Sequence, residues 1–310
     1  MFKSLLPLKK PDLLGVDPGT HCVKIVKISR VKTGKLSVDF CGLYPIPRSS
    51  PDFTSDLHEV IKANGFSGLS AAVCLDDPGL KIRKMELPAM PDADLKEAVR
   101  WNMRDAVEGP VTDYSISSSP IGESAAGGKI RRTWLGYAVK KKSVVDLMNL
   151  ITRIGLKPAV IEPSVVTLAA VIDRVHPSED HWTGGIDLGA EKISMGIIGN
   201  GRFYFSRPLS GMRVDEARDN LSEFMKKLAA EIQNTLDTFS VTFQQGNVNR
   251  IYLSGGGAGF KELPEYLSKN LAVPTEVLDP FSGMELSDAA SKTVAGNKHL
   301  FSQAASLACL

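Results

Sequence analysis

Asp17 closes the apolar run Leu13 to Val16 and is followed at once by Pro18-Gly19-Thr20, with Lys24 five residues past the glycine. A carboxylate at the end of a strand, next to a bare glycine backbone and a hydroxyl, can face a phosphate and the cation that travels with it. Aspartate and glycine also belong in ordinary turns, so this motif alone leaves phosphate binding and a plain turn both open. The same order recurs later. "GGIDLGAEKISMGIIGNGRFYF" again runs from glycine through apolar residues to Asp187-Leu188-Gly189, then an alternating strand and an Asn-Gly turn. Two such hairpins facing each other can grip a polyphosphate from both sides through backbone N–H groups, as nests hold anions. Asp17 and Asp187 would then converge on Mg²⁺, which is commonly held by one or two carboxylates and keeps several waters. A third candidate is "SGGGAG", Ser254 to Gly259, between a strand and a helix. Glycine there lets backbone approach a flat ring or a phosphate closely, although a tight strand-to-helix turn accounts for it equally well. It lacks both the G-x-G-x-x-G and the G-x-x-x-x-G-K-[ST] spacings.

The elements that position these residues can be read in outline. Asn200-Gly201 predicts a hairpin turn, and Lys32 to Lys35 ("KTGK") occupies the corresponding place in the first copy, so one hairpin is used twice and the fold has two similar halves. Met90 to Gly109 predicts a helix with Leu95, Val99, Met103 and Ala106 on one face. A helix over Lys142 to Ile154 stops at Gly155, a strand follows, and Glu162-Pro163 opens another helix. Val214 to Phe243 reads as one long amphipathic helix whose stripe of Leu221, Phe224, Met225, Leu228, Ile232, Leu236 and Phe239 suits a core. Strand, glycine turn, helix and a last strand in "PTEVLDPF" follow, and "FSQAASLACL" is expected to be a short helix closing the second half. "SAAGGK" is a turn or loop, and "HPSEDHWTGG" is the expected boundary between halves. Its His176, Glu179, Asp180 and His181 read as a solvated linker rather than metal ligands.

Composition excludes several classes. With 43% hydrophobic and 23% charged residues the 310-residue chain is of ordinary globular type, and a formal net charge of +2 gives no basic field for nucleic acid. Cys22, Cys41, Cys74 and Cys309 are widely spaced with no CxxC pair, as expected in a reducing compartment. No apolar run is long enough for a transmembrane helix and no signal peptide is evident. The start "MFKSLLPLKK" is either a frayed tail or a weak contact with an anionic membrane surface.

Taken in order, hairpin, connecting helix, hairpin and glycine turn resemble the actin/Hsp70/sugar-kinase ATPases. Within that superfamily the segments "KKPDLLGVDPGTHCVKIVKIS", "IRKMELPAMPDADLKEAVRWNMRDAV", "GLKPAVIEPSVVTLA" and "IYLSGGGAGFKELPEYLSKNLAVPTEVLDPF" resemble the PilM family of type IV pilus assembly proteins, in the right order over nearly the whole chain. The block "LPAMPDADLKEAVRW" marks a small inserted subdomain and separates the likeness from FtsA and MreB. The resemblance implies an α/β, actin-like (ribonuclease H-like) fold: residues 1–180 as a first half with an α+β insert at about 80–140, and 181–310 as a second half. It implies that ATP is held by phosphate-1 residues Asp17, Gly19, Thr20 and Lys24, phosphate-2 residues Asp187 and Gly189, and adenosine-motif residues Gly255, Gly256 and Gly257. Mg²⁺ would lie near Asp17 and Asp187, and Glu162 near the attacking water, with Asp187 the other catalytic candidate. Pro18 and the His21-Cys22 pair depart from the family pattern and imply a stiffer first phosphate turn. The implied role is a cytoplasmic, peripherally membrane-associated scaffold of the pilus inner-membrane platform, with at most weak ATPase activity. Its implied partners are the N-terminal peptide of a PilN-like membrane protein, other platform proteins and further copies of itself. The peptide groove would lie around residues 75 to 120, where "AAVCLDDPGLKIRKMELP" offers strand edges beside a helix. The alternative is an active ATPase or small-molecule kinase of the same fold.

Overall fold

In the computed structural model, residues 13–31, 34–126, 129–177, 181–243 and 246–310 are described. The N-terminal tail, Lys32-Thr33 of the first Gly-containing turn, the middle of "SAAGGK" and part of the loop before Trp182 lie outside them. The chain runs β1 (Leu14–Pro18), β2 (Val23–Arg30), β3 (Leu36–Tyr44), α1 (Phe53–Ala63) and β4 (Ser70–Leu75). A small unit follows: β5 (Lys81–Pro88), α2 (Asp92–Met103), β6 (Tyr114–Ala126) and β7 (Lys129–Lys140). Then come α3 (Lys141–Arg153), β8 (Lys157–Pro163) and α4 (Ser164–Val175). The second round is β9 (Trp182–Leu188), β10 (Ile193–Gly199), β11 (Arg202–Pro208), α5 (Glu216–Asp219), α6 (Leu221–Phe243), β12 (Val248–Ser254), α7 (Leu263–Leu271) and β13 (Thr275–Val277). Finally β14 (Glu285–Leu286), α8 (Asp288–Val294) and α9 (Ser302–Ala308) complete the chain.

The duplication inferred from the hairpins is present in the strand order. The first sheet runs β14-β3-β2-β1-β4-β8 and the second β11-β10-β9-β12-β13. In each, an antiparallel three-strand meander is extended by two parallel strands on the side of its first strand. Parallel strands need crossovers, and the helices that supply them bury apolar stripes on the sheets. The second hairpin turns at Asn200 and Gly201 with φ of 50° and 67°, the left-handed pair a two-residue hairpin demands. The small unit is a separate antiparallel sheet, β5-β7-β6, covered by α2 through Val99 and Met103.

Three expectations change. The helix over Val214 to Phe243 is broken: Asn220 leaves helical geometry and its side-chain Oδ1 accepts the Glu223 N–H at 3.1 Å, so it caps α6 and separates it from α5. The expected stripe still packs, with Phe224, Leu228, Ile232 and Phe239 buried. The final helix does not close the second half. α9 lies on the first sheet, against β1, β2 and β4, and β14 joins the edge of that sheet beside β3. Small residues permit this close seat: Ala304, Ala305 and Ala308 are buried, and Gly15 of β1 has no side chain to hold the helix away. Lastly, residues 71–75 offer no strand edge, since β4 is enclosed between β1 and β8, whereas β5 is an edge strand of the small sheet.

Candidate functional site

A cleft of about 950 Å³ opens where the two hairpin turns face each other. Asp17 and Lys24 stand directly opposite in the β1–β2 ladder, and Lys24 Nζ donates to Asp17 Oδ2 at 3.1 Å. Both side chains are largely enclosed, at 13% and 14% exposure. Burial pulls the lysine pKa down, but Asp17, together with smaller contributions from Cys22 and Asp187, more than offsets it and the ammonium is held charged. Gly19 leaves room for that reach: a Cβ there would stand 2.7 Å from Lys24 Nζ. Thr20, His21 and Cys22 of the same turn also line the cleft.

From the opposite side β9 delivers Asp187, in register with Ser194 of β10 and Ser254 of β12. Its pKa is pushed up to about 6, first by burial and then by the neighbouring charges of Asp76 and Asp17, while Lys24 and a hydrogen bond from Gln303 pull it back. Gly189, Ala190, Glu191 and Lys192 form the second turn. The glycine turn closes the third side. Gly255 has φ 81° and ψ 178°, a region open essentially to glycine alone, and a Cβ on it would lie 2.6 Å from Asp187 Oδ1. Gly256 faces open space, whereas Gly257 is buried between Leu188 and Val214, behind the wall.

Asp17, Gly19, Thr20, Lys24, Asp187, Gly189, Gly255 and Gly256 are thus brought to one cleft, and Gly257 supports it from behind. Glu162 is not among the lining residues. Burial raises its pKa, and its charge acts on Tyr137 of β7, at the junction with the small sheet. Residues that the sequence did not single out also line the cleft. Asp76, just past β4, accepts from Lys192 Nζ at 2.7 Å and from Ser164 Oγ at 3.3 Å, which ties the second hairpin turn to the first half. Gln303 of α9 donates to Asp187 Oδ2 at 3.2 Å. The only local signal for Asp76 was its place at the end of an apolar strand, as for Asp17 and Asp187. Elsewhere, His176 stacks on Tyr252 at 4.4 Å, and among the described residues no cluster of three or more metal-ligating side chains occurs. The four cysteines are free thiols, and no described helix is long and apolar enough to cross a membrane.

The family model described as type IV pilus assembly protein PilM matches residues 210–309, which include the glycine turn and α9. A PilM–PilN type IV pilus biogenesis complex superposes with a TM-score of 0.77 at 20% identity, covering 96% of this chain and 98% of that one. The cytoplasmic domain of EpsL, an inner-membrane component of the type II secretion system of Vibrio cholerae, gives 0.47 at 13% identity, covering 91% and 92%. A Bacteroides thetaiotaomicron protein with an actin-like ATPase fold and unknown function gives 0.45 at 10% identity, covering 89% and 95%. The chain has an actin-like fold of two similar halves, and it is similar to the type IV pilus assembly protein PilM, by sequence over residues 210–309 and by fold throughout.

Proposed function

We propose that the chain is a nucleotide-gated scaffold of a type IV pilus inner-membrane platform, on the cytoplasmic side. ATP with Mg²⁺ would occupy the cleft, and the N-terminal peptide of a PilN-like membrane protein would bind beside the small subdomain. The observation that carries the nucleotide half is the convergence of Asp17, Asp187 and two glycine-bearing hairpin turns on one cleft, with the glycine turn on its third side. The donor set suits a divalent cation. Burial first, and then the charges of Asp76 and Asp17, raise the Asp187 pKa, and Lys24 compensates only in part. A bound Mg²⁺ would supply the positive charge that lets phosphates and carboxylates share this space. Asp17 and Asp187 would hold it, Lys24 would steady Asp17 through its hydrogen bond, and the open face at Gly256 would admit the adenine.

For the peptide half, the support is the likeness to a PilM chain solved with PilN and the free edge of β5, which can accept an added strand. Exposed Trp101 on α2 and Val145 and Met148 on α3 offer apolar contacts on elements that pack on β6 and β7. Closure of the halves on nucleotide would bias the affinity for the peptide, and the reverse by linkage. The same scaffold would meet other platform proteins and copies of itself. A second reading, small-molecule kinase or ATPase, gains a candidate base in Asp76, although that carboxylate is engaged by Lys192.

The test is titration of the purified chain with a fluorescent ATP analogue and Mg²⁺, repeated with Asp187→Ala and with a PilN-type N-terminal peptide. Saturable binding that the variant loses and the peptide shifts supports the scaffold. Steady phosphate release abolished by Asp187→Ala moves the function to the enzyme reading. Absence of binding by the folded protein overturns the nucleotide half.

A further inference from the structure

α9 is a wedge from the first half aimed at a residue of the second. Its small residues pack on the first sheet: Ala304, Ala305 and Ala308 against Val26, Ile28 and Cys41, and Leu307 against Ala72 and Cys74. Gly15 is in contact with the helix backbone itself, so the helix has one depth on the sheet. Gln303, only 5% exposed, projects from it into the base of the cleft. Its Nε2 donates to Asp187 Oδ2 at 3.2 Å, and its Oε1 accepts from the hydroxyl of Thr167 on α4. Thr167 is itself 2% exposed and lies 2.8 Å from the Ser164 carbonyl, which fixes its place on the first turn of α4.

The Asp187 side selects one orientation of the amide, and the Thr167 hydroxyl anchors its other end. Turned over, Gln303 would set its oxygen against an ionised carboxylate and lose that bond. Asp187 is therefore held at Oδ2 by the amide, and the missing side chain of Gly255 leaves the room that Oδ1 occupies. The donor comes from the first sheet's helix and the acceptor from β9, so the bond also spans the two halves. We propose that Gln303 is a positioning residue: its amide fixes the Asp187 carboxylate in the orientation that receives the divalent cation carried by a nucleotide's phosphates. This rests on the nucleotide reading above, and it gives the last helix of the chain a part in that site.

The experiment uses the full chain and a fluorescent ATP analogue, titrated in Mg²⁺ and separately in EDTA. Gln303→Met keeps the volume of the side chain and removes the amide. Partners that orient a metal ligand are typically worth about 10- to 100-fold in metal affinity. Gln303→Met is expected to lose that factor in apparent Mg²⁺ affinity while its affinity for the analogue in EDTA stays within about twofold. Thr167→Val, which keeps the amide but frees its other end, is expected to show a smaller loss of the same kind, and it decides the matter if Gln303→Met does not fold. Equal losses in Mg²⁺ and EDTA, or an unchanged Mg²⁺ dependence, overturn the inference and leave the nucleotide reading standing. A wild-type chain that binds the analogue without regard to Mg²⁺ overturns the cation site and this inference together. A wild-type chain that binds no analogue overturns the nucleotide reading itself.

Discussion

Gly15→Ala is the substitution whose sign separates local propensity from tertiary packing. In a strand interior, replacing glycine by alanine is favourable by roughly 0.5–1 kcal/mol, because glycine loses more freedom on folding. Here the new Cβ would be driven onto the Ala304 carbonyl oxygen and to 2.8 Å from the Ala308 nitrogen. Both are backbone atoms of α9, so no rotamer change relieves the contact, and trimming a side chain of α9 does not help. Heavy atoms attract best at about 3.5–4.0 Å, which requires the helix to lift from β1. Overpacking of a tight core costs about 1–3 kcal/mol, and lifting the helix also loosens Phe301, Ala304, Ala305 and Leu307, all fully buried. The net expectation is a loss of about 1–3 kcal/mol. At roughly 2.1 cal/mol/K per residue, a 310-residue chain shifts by about 1.5 °C per kcal/mol, so the apparent Tm should fall by about 2–5 °C in a calorimetric scan without ligand. The lift would also stretch the 3.2 Å bond from Gln303 to Asp187, so Mg²⁺-dependent nucleotide binding should weaken in the same variant. A Tm equal to or above that of the wild type would mean that α9 does not press on β1, and the account of the wedge would fail.

Other outcomes follow from single contacts. Gly255→Ala forces a side chain into a glycine-only region, at about 1–3 kcal/mol, and against Asp187 and Leu188, so it should lower the denaturation midpoint; Gly256→Asp meets open space and should leave the midpoint alone while abolishing binding of the ATP analogue. Lys24→Met leaves Asp17 enclosed without its partner and should destabilise by roughly 3 kcal/mol in urea unfolding, with Asp17→Asn in the same chain recovering most of it. His299 is buried and its pKa is lowered by that burial, so between its folded value and 6.5 the unfolded chain binds the extra proton. Its contribution to stability is therefore complete above about pH 6.5 and is lost as pH falls towards the folded value; His299→Phe should flatten this part of the stability–pH curve, and an unchanged slope would assign it to other groups.

What could be read ahead of the structure was what is encoded by neighbours along the chain. Asp17-Pro18-Gly19 and Asp187-Leu188-Gly189 each place a carboxylate at a strand end beside a turn, and Asn200-Gly201 and Gly155 mark a turn and a helix stop by their backbone freedom. Their repetition gave the two-fold architecture. The misplacement of α9 has an equally physical origin. "SQAASLA" is made mostly of small residues with no apolar stripe on one face, so its periodicity names no partner; the close seat is allowed by Gly15, far away in sequence, whose missing side chain lets the helix backbone approach β1. Asp76, Lys192 and Gln303 stayed hidden for the same reason. Each comes from a different element, and only the approach of the two halves puts them together. The break at Asn220 was not read in advance because a hydrophobic stripe continues across it.

Among the described residues, two of the connections across the cleft lead towards the small sheet, by different routes. From Asp187 one runs through Gln303 into α9, through Leu307 onto Ala72 and Cys74 of β4, and so along β4 towards β5. The other runs from the second hairpin turn through Lys192 to Asp76, which begins the Asp77 to Leu80 turn into β5; there the Gly79 N–H bonds Asp77 Oδ1 at 2.6 Å. A route carries coupling only if both ligands bias it, so the two make opposite predictions about how a PilN-type peptide shifts Mg²⁺-nucleotide affinity. If the packed route through α9 carries the effect, Gln303→Met should reduce the peptide-induced shift and Lys192→Met should leave it intact. If the ion pair carries it, the results exchange. The pair is half-exposed and screened by salt, so in that case the shift should also shrink as ionic strength rises from 0.05 to 0.5 M, by roughly the threefold fall in Debye length. A shift that survives both variants and salt would locate the coupling in neither connection.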